Sequence, residues 1–246
     1  MARRPREVRV ASREHLTPNI VALTLSGEDL HDFPEGFEGG YIKLSLPQPD
    51  GSNRNRSFSI RRFDATAREL EIHMASHGDS GPAGAWLSRV ELDDTVTIQG
   101  PGSCRRLTPE ADWFLLAGDL TALAAIRVNL EQLPEGAVGH AFVEVPGPDD
   151  ELEISRPSGI GITWIHNADP TRNAGGLVEA VRGFPWLPGR PSVWVAGEYT
   201  AARALREYFR DERDVDLSDL YASCYWKIGV GDEGMKAAKK ADSGVW

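Results

Sequence analysis

A run of six residues, Arg-Ser-Phe-Ser-Ile-Arg at positions 56–61, combines the side-chain types that bind a flat, phosphorylated cofactor. A guanidinium pairs with phosphate, an aromatic ring stacks on a flat heterocycle, and a hydroxyl hydrogen-bonds a ring nitrogen. In a β-strand these side chains alternate between two faces, with Arg56, Phe58 and Ile60 on one and Ser57, Ser59 and Arg61 on the other. An ordinary antiparallel strand with charged ends has the same pattern, so the run alone leaves both interpretations open.

A second segment, at positions 77–86, reads His-Gly-Asp-Ser-Gly-Pro-Ala-Gly-Ala-Trp. It predicts a glycine-rich loop that leads into a short helix with a proline near its first turn. Such a loop presents unpaired backbone N–H groups that suit a pyrophosphate, although a simply capped helix fits equally well. Together with the strand at 56–61, the loop predicts a site for the two ends of a flavin dinucleotide.

Two turns each follow an apolar run and carry an acid, Ala-Gly-Asp-Leu-Thr-Ala at 117–122 and Ala-Gly-Glu-Tyr-Thr-Ala at 196–201. In an open α/β sheet, ligands lie beyond the carboxyl ends of the strands, and a glycine there permits close approach. Neither turn contains the G-x-G-x-x-G fingerprint of dinucleotide-binding folds. Helix capping by Asp119 and Thr200 explains the same residues, so this choice also stays open.

The elements that must position these residues fall into two groups. From about residue 7 to 100, short runs of β-branched residues separated by Gly, Pro, Asn and Asp predict an antiparallel barrel or sandwich, with strands at 8–10, 20–25, 41–46, 57–62, 69–74 and 95–98. A short helix at 81–90 interrupts them. After residue 101, apolar strands at 113–118, 141–145, 162–166 and 192–197 alternate with helices at 121–133, from 176, and from 200 to about 212. This alternation predicts an open parallel α/β sheet.

We therefore expect a β-barrel plus α/β architecture, with an antiparallel barrel domain at residues 1–104 and an α/β domain at 105–231. The remaining residues, 232–246, predict a short basic helix or a frayed end.

Composition narrows the functional classes. The chain has 246 residues, of which 41% are hydrophobic and 26% charged, as expected of a globular protein. Its net charge of -10 argues against nucleic acid as a partner, because phosphate binding needs a basic face. No apolar run is long enough for membrane insertion, and the basic N-terminus is not followed by the apolar region of a secretory signal. The expected compartment is the cytoplasm.

The two cysteines, Cys104 and Cys224, are far apart and lack metal-ligand spacing. We therefore expect two thiols, with no structural zinc or iron–sulfur site.

Five segments in register resemble the siderophore-interacting protein family, FAD-dependent ferric-siderophore reductases related to the ferredoxin-NADP reductase superfamily. They are Gly-Tyr-Ile-Lys-Leu at 40–44, the run at 56–61, the segment at 77–86, Leu-Ala-Gly-Asp-Leu-Thr-Ala-Leu at 116–123, and Ala-Gly-Glu at 196–198 followed by Tyr-Trp-Lys-Ile-Gly at 225–229. The sequence departs from the family pattern at Phe58 (usually Tyr), Leu120 (Glu), Ala124 (Pro) and Lys227 (Arg). Phe58 can still stack but lacks the hydroxyl, and Lys227 keeps its charge but loses the bidentate fork.

The resemblance implies bound FAD, with Arg56 on its diphosphate, Phe58 stacked on its ring system and Ser59 near its reactive edge. It also implies NADH or NADPH as donor at the Asp119 and Glu198 turns. The implied cofactor-binding residues are Arg56, Ser57, Phe58, Ser59, Arg61, His77, Ser80, Gly81, Pro82, Ala83, Gly84, Trp86, Asp119, Thr121, Ala122 and Glu198. Because the flavin transfers the electrons, no catalytic acid, base or nucleophile and no resident metal is expected.

The implied substrate is a ferric siderophore, held by Lys43 and Lys227 with Arg105 or Arg106 as a third cation. Solvated surface charge is the alternative interpretation of these residues, and His73 is interpreted as a strand residue. The implied activity is reduction of Fe(III) to Fe(II) by a monomer, with a ferredoxin as another donor. Two alternative functions remain: a general NAD(P)H:flavin oxidoreductase and a non-catalytic ferric-siderophore binding protein.

Overall fold

A computed structural model describes residues 4–48, 51–76, 81–172 and 175–242. The chain divides into two compact units, Met1–Arg105 and Arg106–Trp246. Each unit has its own sheet.

The first unit is a closed antiparallel barrel of six strands in the order β1-β2-β5-β4-β3-β6. The strands are β1 (Arg6–Thr17), β2 (Ile20–Ser26), β3 (Tyr41–Pro47), β4 (Asn53–Asp64), β5 (Glu69–Ala75) and β6 (Thr95–Gln99). A short helix, α1 (Gly81–Leu87), lies between β5 and β6. The predicted barrel is confirmed.

Alternating side chains fill the barrel. Along β3, for example, Ile42, Leu44 and Leu46 are fully buried, whereas Lys43 between them is exposed. This period of two buries one face of each strand and leaves the other polar. The strand predicted at 8–10 is much longer, since β1 continues to Thr17 through exposed polar residues. Pairing with β2 extends it, and a hydrophobic pattern does not detect that contribution.

A buried arginine anchors the start of the barrel. Arg6, only 4% exposed, donates to the Gly100 carbonyl at 3.1 Å and pairs with Asp32 at 3.1 Å. Its guanidinium lies 5.3 Å from the centroid of the Phe33 ring. A buried cation is costly without such partners, so Asp32 contributes more to the stability of the fold than an exposed acid usually does.

The second unit is a five-stranded parallel sheet in the order β11-β10-β7-β8-β9. Its strands are β7 (Trp113–Asp119), β8 (Val138–Val145), β9 (Gly159–His166), β10 (Pro191–Glu198) and β11 (Leu220–Trp226). Its helices are α2 (Leu123–Glu131), α3 (Gly176–Arg182), α4 (Tyr199–Glu207) and α5 (Asp232–Ala241). The predicted open α/β sheet is confirmed.

Three details differ from the sequence-based expectation. The edge strand β11 was not predicted, because its half-exposed Tyr221 and Ser223 interrupt the apolar run that marks the other strands. The helix predicted at 121–133 begins as a 3-10 turn, Leu120–Ala122, before α2. The helix predicted from 200 to about 212 changes to a π-helical turn after Glu207.

The remaining sequence-based expectations concern thiols and membrane spans. Cys104 and Cys224 both carry thiols, as predicted. Across the described ranges, no helix has the length and apolar character needed to cross a membrane.

Replacing Asp32 with Asn should lower the melting temperature at neutral pH, because the buried Arg6 guanidinium loses its carboxylate partner. Hydrogen bonds from Arg4 and Arg6 hold the pKa of Asp32 at about 2, below its ordinary value of 3.8. A carboxyl group whose pKa is lower in the folded than in the unfolded protein stabilises the fold at pH values above its unfolded-state pKa. This contribution is lost as the pH falls through the folded-state pKa. The melting temperatures of wild type and variant should therefore converge as the pH is lowered from about 4 to about 2. A constant difference across this range would contradict the pairing.

Candidate functional site

Strand β4 changes partner part-way along its length. Its residues Asn53–Ser59 are registered with β3, whereas its ladder with β5 runs from Ile60–Ile72 to Asp64–Glu69. Beyond its pairs with β4, strand β5 continues from His73 to Ala75 in register with β2 alone. Among the described residues, no ladder pair joins β4 to β5 beside Phe58 and Ser59, and we call this gap in the ladder the opening. Backbone groups along such an opening can hydrogen-bond a ligand, as an unpaired sheet edge does.

The predicted alternation of the 56–61 run is observed except at Ser59, which is only 6% exposed although its neighbour Ile60 is also buried. Ile60 lies in the barrel core and Phe58 packs partly against it, while Arg56 is registered opposite Leu44. Ser57 and Ser59 lie on the outer face, opposite Lys43 and Tyr41 respectively. Packing against the core limits how much of the Phe58 ring is available for stacking.

Lys43 has neutral polar neighbours on this outer face. It is registered with Ser57 on one side and Gln99 on the other, and its side chain is exposed. The next outward position, Ser45, pairs with Asn55 and Thr97. The outer face of these three strands thus carries a cation among hydroxyl and amide groups.

Tyr41, which sequence reasoning did not select as a site residue, is held beside Ser59 by a glycine. A Cβ atom added to Gly102 would lie 2.2 to 2.6 Å from the Tyr41 ring atoms, so only a glycine permits this contact. The Gly102 N–H also donates to the Tyr41 carbonyl at 2.6 Å. The only available signal was the Pro-Gly pair at 101–102.

The other predicted barrel residues are distributed around α1 and β4. Gly81, Pro82, Ala83 and Gly84 form the first turn of α1, and Gly81 has a positive φ of 72°. Trp86 is 4% exposed in the barrel core, where it anchors the helix. Arg61 is half-buried on β4, and Arg105 and Arg106 are exposed at the unit boundary. His77 and Ser80 lie outside the described residues.

A histidine–glutamate pair lies on β5. His73 Nε2 is 2.8 Å from Glu71 Oε1, and this bond is the main reason why the pKa of Glu71 is lowered. The His73 side chain is only 6% exposed. We therefore retain the interpretation of His73 as a strand residue.

In the second unit, Asp119 joins three strand ends. Its Oδ1 accepts from Thr121 N at 2.9 Å and Thr121 Oγ1 at 2.5 Å. Its Oδ2 accepts from Glu198 N and Trp226 Nε1, both at 2.7 Å. Burial raises the pKa of Asp119, and these donors act in the opposite direction. The carboxylate therefore ties together the ends of β7, β10 and β11.

Two more acids end neighbouring strands. Glu198 caps α4 by accepting from Thr200 N at 2.5 Å, and its other oxygen accepts from Ile228 N at 3.3 Å. Glu144, at the end of β8, accepts from the Asn167 side chain and the Leu177 N–H. Burial, with the nearby Asp119 and Glu198 carboxylates, raises the pKa of Glu144.

These contacts favour the capping interpretation of the two turns. Asp119 is a cap as predicted, but the prediction of Thr200 was wrong, because Glu198 caps α4 and Thr200 donates to it. Thr121 donates its N–H and its hydroxyl to Asp119, and Ala122 is fully buried. The glycines are also needed internally: a Cβ on Gly118 would lie 2.6 Å from the Ala196 carbonyl oxygen, and one on Gly197 2.5 Å from Asp119 Oδ2. Their small size accommodates packing inside the unit.

Lys227 follows directly after β11. Its Nζ lies 3.8 Å from the centroid of the Tyr199 ring, the first residue of α4. Because Trp226 is bonded to Asp119 and Ile228 to Glu198, the backbone on both sides of Lys227 is fixed to the sheet.

Comparison with known proteins identifies the family. Residues 111–229 match the model for "Siderophore-interacting protein", and residues 9–55 and 50–105 match that for "Siderophore-interacting FAD-binding domain". The ferric vibriobactin reductase ViuB of Vibrio cholerae is 31% identical, covering 93% of this chain and 92% of its own. The chain belongs to the siderophore-interacting protein family.

Solved structures agree with this membership. The siderophore-interacting protein SipS of Aeromonas hydrophila superposes with a TM-score of 0.88 at 32% identity, covering 98% of this chain and 99% of its own. The ferredoxin reductase in carbazole 1,9a-dioxygenase has a TM-score of 0.69 at 15% identity, covering 91% of this chain and 70% of its own. The chain thus has the ferredoxin reductase-like fold.

Replacing Asp119 with Ala should lower the free energy of unfolding by about 3 kcal/mol or more, because several buried donors lose their acceptor. Asp112, an exposed acid just before β7 that accepts one bond from Arg190 N at 2.7 Å, is the matched control. Its replacement with Ala should cost less than about 1 kcal/mol. Urea unfolding measures both values, and equal losses would contradict a special role for Asp119.

Proposed function

We propose that this protein reduces a ferric siderophore to its Fe(II) form in the cytoplasm and thereby releases the iron. The observation that carries the proposal is the opening between β4 and β5, in a barrel that matches a siderophore-interacting FAD-binding domain. When bound, FAD supplies the redox chemistry, because it accepts two electrons as a hydride and passes them on one at a time, enough for two Fe(III) ions.

The residues along the opening fit a flavin dinucleotide. Ser59 is registered opposite Tyr41 and is only 6% exposed, so we assign its hydroxyl a hydrogen bond to the flavin ring system. Ser57 and the guanidinium groups of Arg56 and Arg61 belong to the same strand and suit the ribityl and phosphate groups. Phe58 would contribute only the part of its ring that the core leaves uncovered. We also propose that the first turn of α1 contacts the cofactor through its backbone, at Gly81, Pro82, Ala83 and Gly84.

The chain's own task is to bind and orient, so the proposal assigns no acid–base step. Lys43 is an exposed cation on a protein of net charge -10, and it would attract an anionic chelate locally. In the second unit we propose Lys227 for chelate binding on its own account, and Arg105 or Arg106 is a further candidate. Fe(II) binds hard oxygen ligands less tightly than Fe(III), so reduction promotes iron release.

For the electron donor we propose NADH or NADPH at the carboxyl edge of the parallel sheet, where such sheets bind ligands. The Asp119 and Glu198 carboxylates already accept bonds from within the chain, so their proposed part is to shape this edge. A reduced ferredoxin is the alternative donor.

Flavin content tests this proposal directly. The purified protein, with FAD added if necessary, should show an oxidised-flavin spectrum that bleaches with dithionite under anaerobic conditions. Adding a ferric hydroxamate or catecholate should restore the spectrum while an Fe(II) trap develops colour. Absence of flavin binding would overturn the proposal in favour of a siderophore carrier, whereas reduction of free flavin but not of ferric chelates would indicate a general flavin reductase.

Replacing Lys43 with Met should raise KM for an anionic ferric chelate by about fivefold with kcat nearly unchanged, since one exposed charge contributes at most about 1 kcal/mol. Arg13, an exposed cation on β1, provides the control, and its replacement with Met should leave KM unchanged. Lys43→Arg should restore most of the affinity. An unchanged KM in Lys43→Met would remove Lys43 from the chelate site.

A further inference from the structure

Lys227 is restrained by the aromatic ring beneath it. Its ammonium lies 3.8 Å from the centroid of the Tyr199 ring, and Tyr199 is only 7% exposed. The face of an aromatic ring attracts a cation and narrows the range of positions that a long side chain can adopt. The ring therefore presents the charge of Lys227 at a fixed place.

The hydroxyl group of the same tyrosine holds the end of the C-terminal helix. Tyr199 donates to Asp242, the residue that follows α5. Arg203, one turn further along α4, places its Nε 2.8 Å from Asp242 Oδ2. The bond from Tyr199 and the charges of Arg203 and Lys227 hold the pKa of Asp242 below its ordinary value, so the group is an ionised carboxylate at neutral pH.

Arg203 is also paired with Glu207 at 3.1 Å, so displacement of Asp242 leaves one net positive charge in the group formed by Lys227, Arg203 and Glu207. We propose that Tyr199 is a positioning residue for chelate binding by Lys227, and that Asp242 is a displaceable carboxylate that neutralises this charge until an anionic ferric chelate arrives. This inference rests on the proposed function, because it assumes that Lys227 contacts the substrate. It also names the substrate class. A cluster that holds a carboxylate between a lysine and an arginine suits a ferric tris-catecholate, which carries a net negative charge, better than a neutral hydroxamate complex.

The ring and the hydroxyl of Tyr199 have opposite effects in this arrangement. The ring supports binding because it fixes Lys227, and the hydroxyl opposes binding because it retains Asp242. Tyr199→Phe keeps the ring and removes the hydroxyl, so it should increase affinity for an anionic chelate. A purely structural role of Tyr199 predicts no such gain.

Gallium(III) chelates test the proposal without electron transfer, because Ga(III) has the charge of Fe(III) but is not reduced under these conditions. The full-length protein is titrated with Ga(III) tris-catecholate and with the neutral Ga(III) complex of a cyclic trihydroxamate, and binding is followed by calorimetry. Asp242→Asn and Tyr199→Phe should each tighten tris-catecholate binding by about two- to fivefold, the value of one partly exposed ion pair. Binding of the neutral complex should not change.

Asp211 is the matched control, since its carboxylate is paired with Arg210 at 2.6 Å just beyond α4. Asp211→Asn should leave both affinities unchanged. In a Lys227→Met background, Asp242→Asn should no longer tighten tris-catecholate binding. The inference is overturned if Asp242→Asn and Tyr199→Phe bind the tris-catecholate like wild type, if the neutral complex gains equally, or if the gain persists without Lys227. These measurements need neither flavin nor donor, so their failure is distinct from failure of the proposed reductase activity.

Discussion

The carboxylate of Asp119 is the interaction on which the second unit depends most. Parallel strands meet at their carboxyl ends with unpaired backbone groups and no hairpin to join them. Asp119 links three of these ends by accepting from Thr121, Glu198 and Trp226. Glu198 then continues the network to α4 and to Ile228. Because Lys227 lies between two residues bound in this way, a half-buried cation acquires a defined position from a buried anion.

The barrel obtains its proposed binding surface by a different means. There, strand β4 passes from β3 to β5 part-way along, and among the described residues no ladder pair joins β4 to β5 beside Phe58 and Ser59. Closed barrels usually leave no edge exposed, so a local opening provides backbone donors and acceptors on an otherwise rigid support. Tyr41, fixed by its contact with Gly102, lies opposite Ser59 on the neighbouring strand β3.

The sequence was sufficient to predict the two kinds of sheet, because apolar periodicity is a local signal. The run from Trp113 to Asp119 is buried at every position, and β3 alternates cleanly. The strand β11 was missed because it is stabilised by pairing with β10, and its half-exposed polar residues hide the apolar pattern. Long-range partners explain the other gaps: no local pattern could show that Trp226 bonds Asp119, or that Asp242 reaches Tyr199. For the acidic turns, the sequence left ligand binding and helix capping open, and the structure shows the Asp119 and Glu198 carboxylates serving as internal acceptors.

The change of partner along β4 also has a consequence for the lifetime of the protein in a cell. A strand with one side unpaired over part of its length opens more readily than its neighbours, and proteases act on such locally opened states. A ligand that fills the gap between β4 and β5 binds the folded state alone and stabilises it by mass action. The amount of this protein that survives would then follow the supply of that ligand through protein turnover.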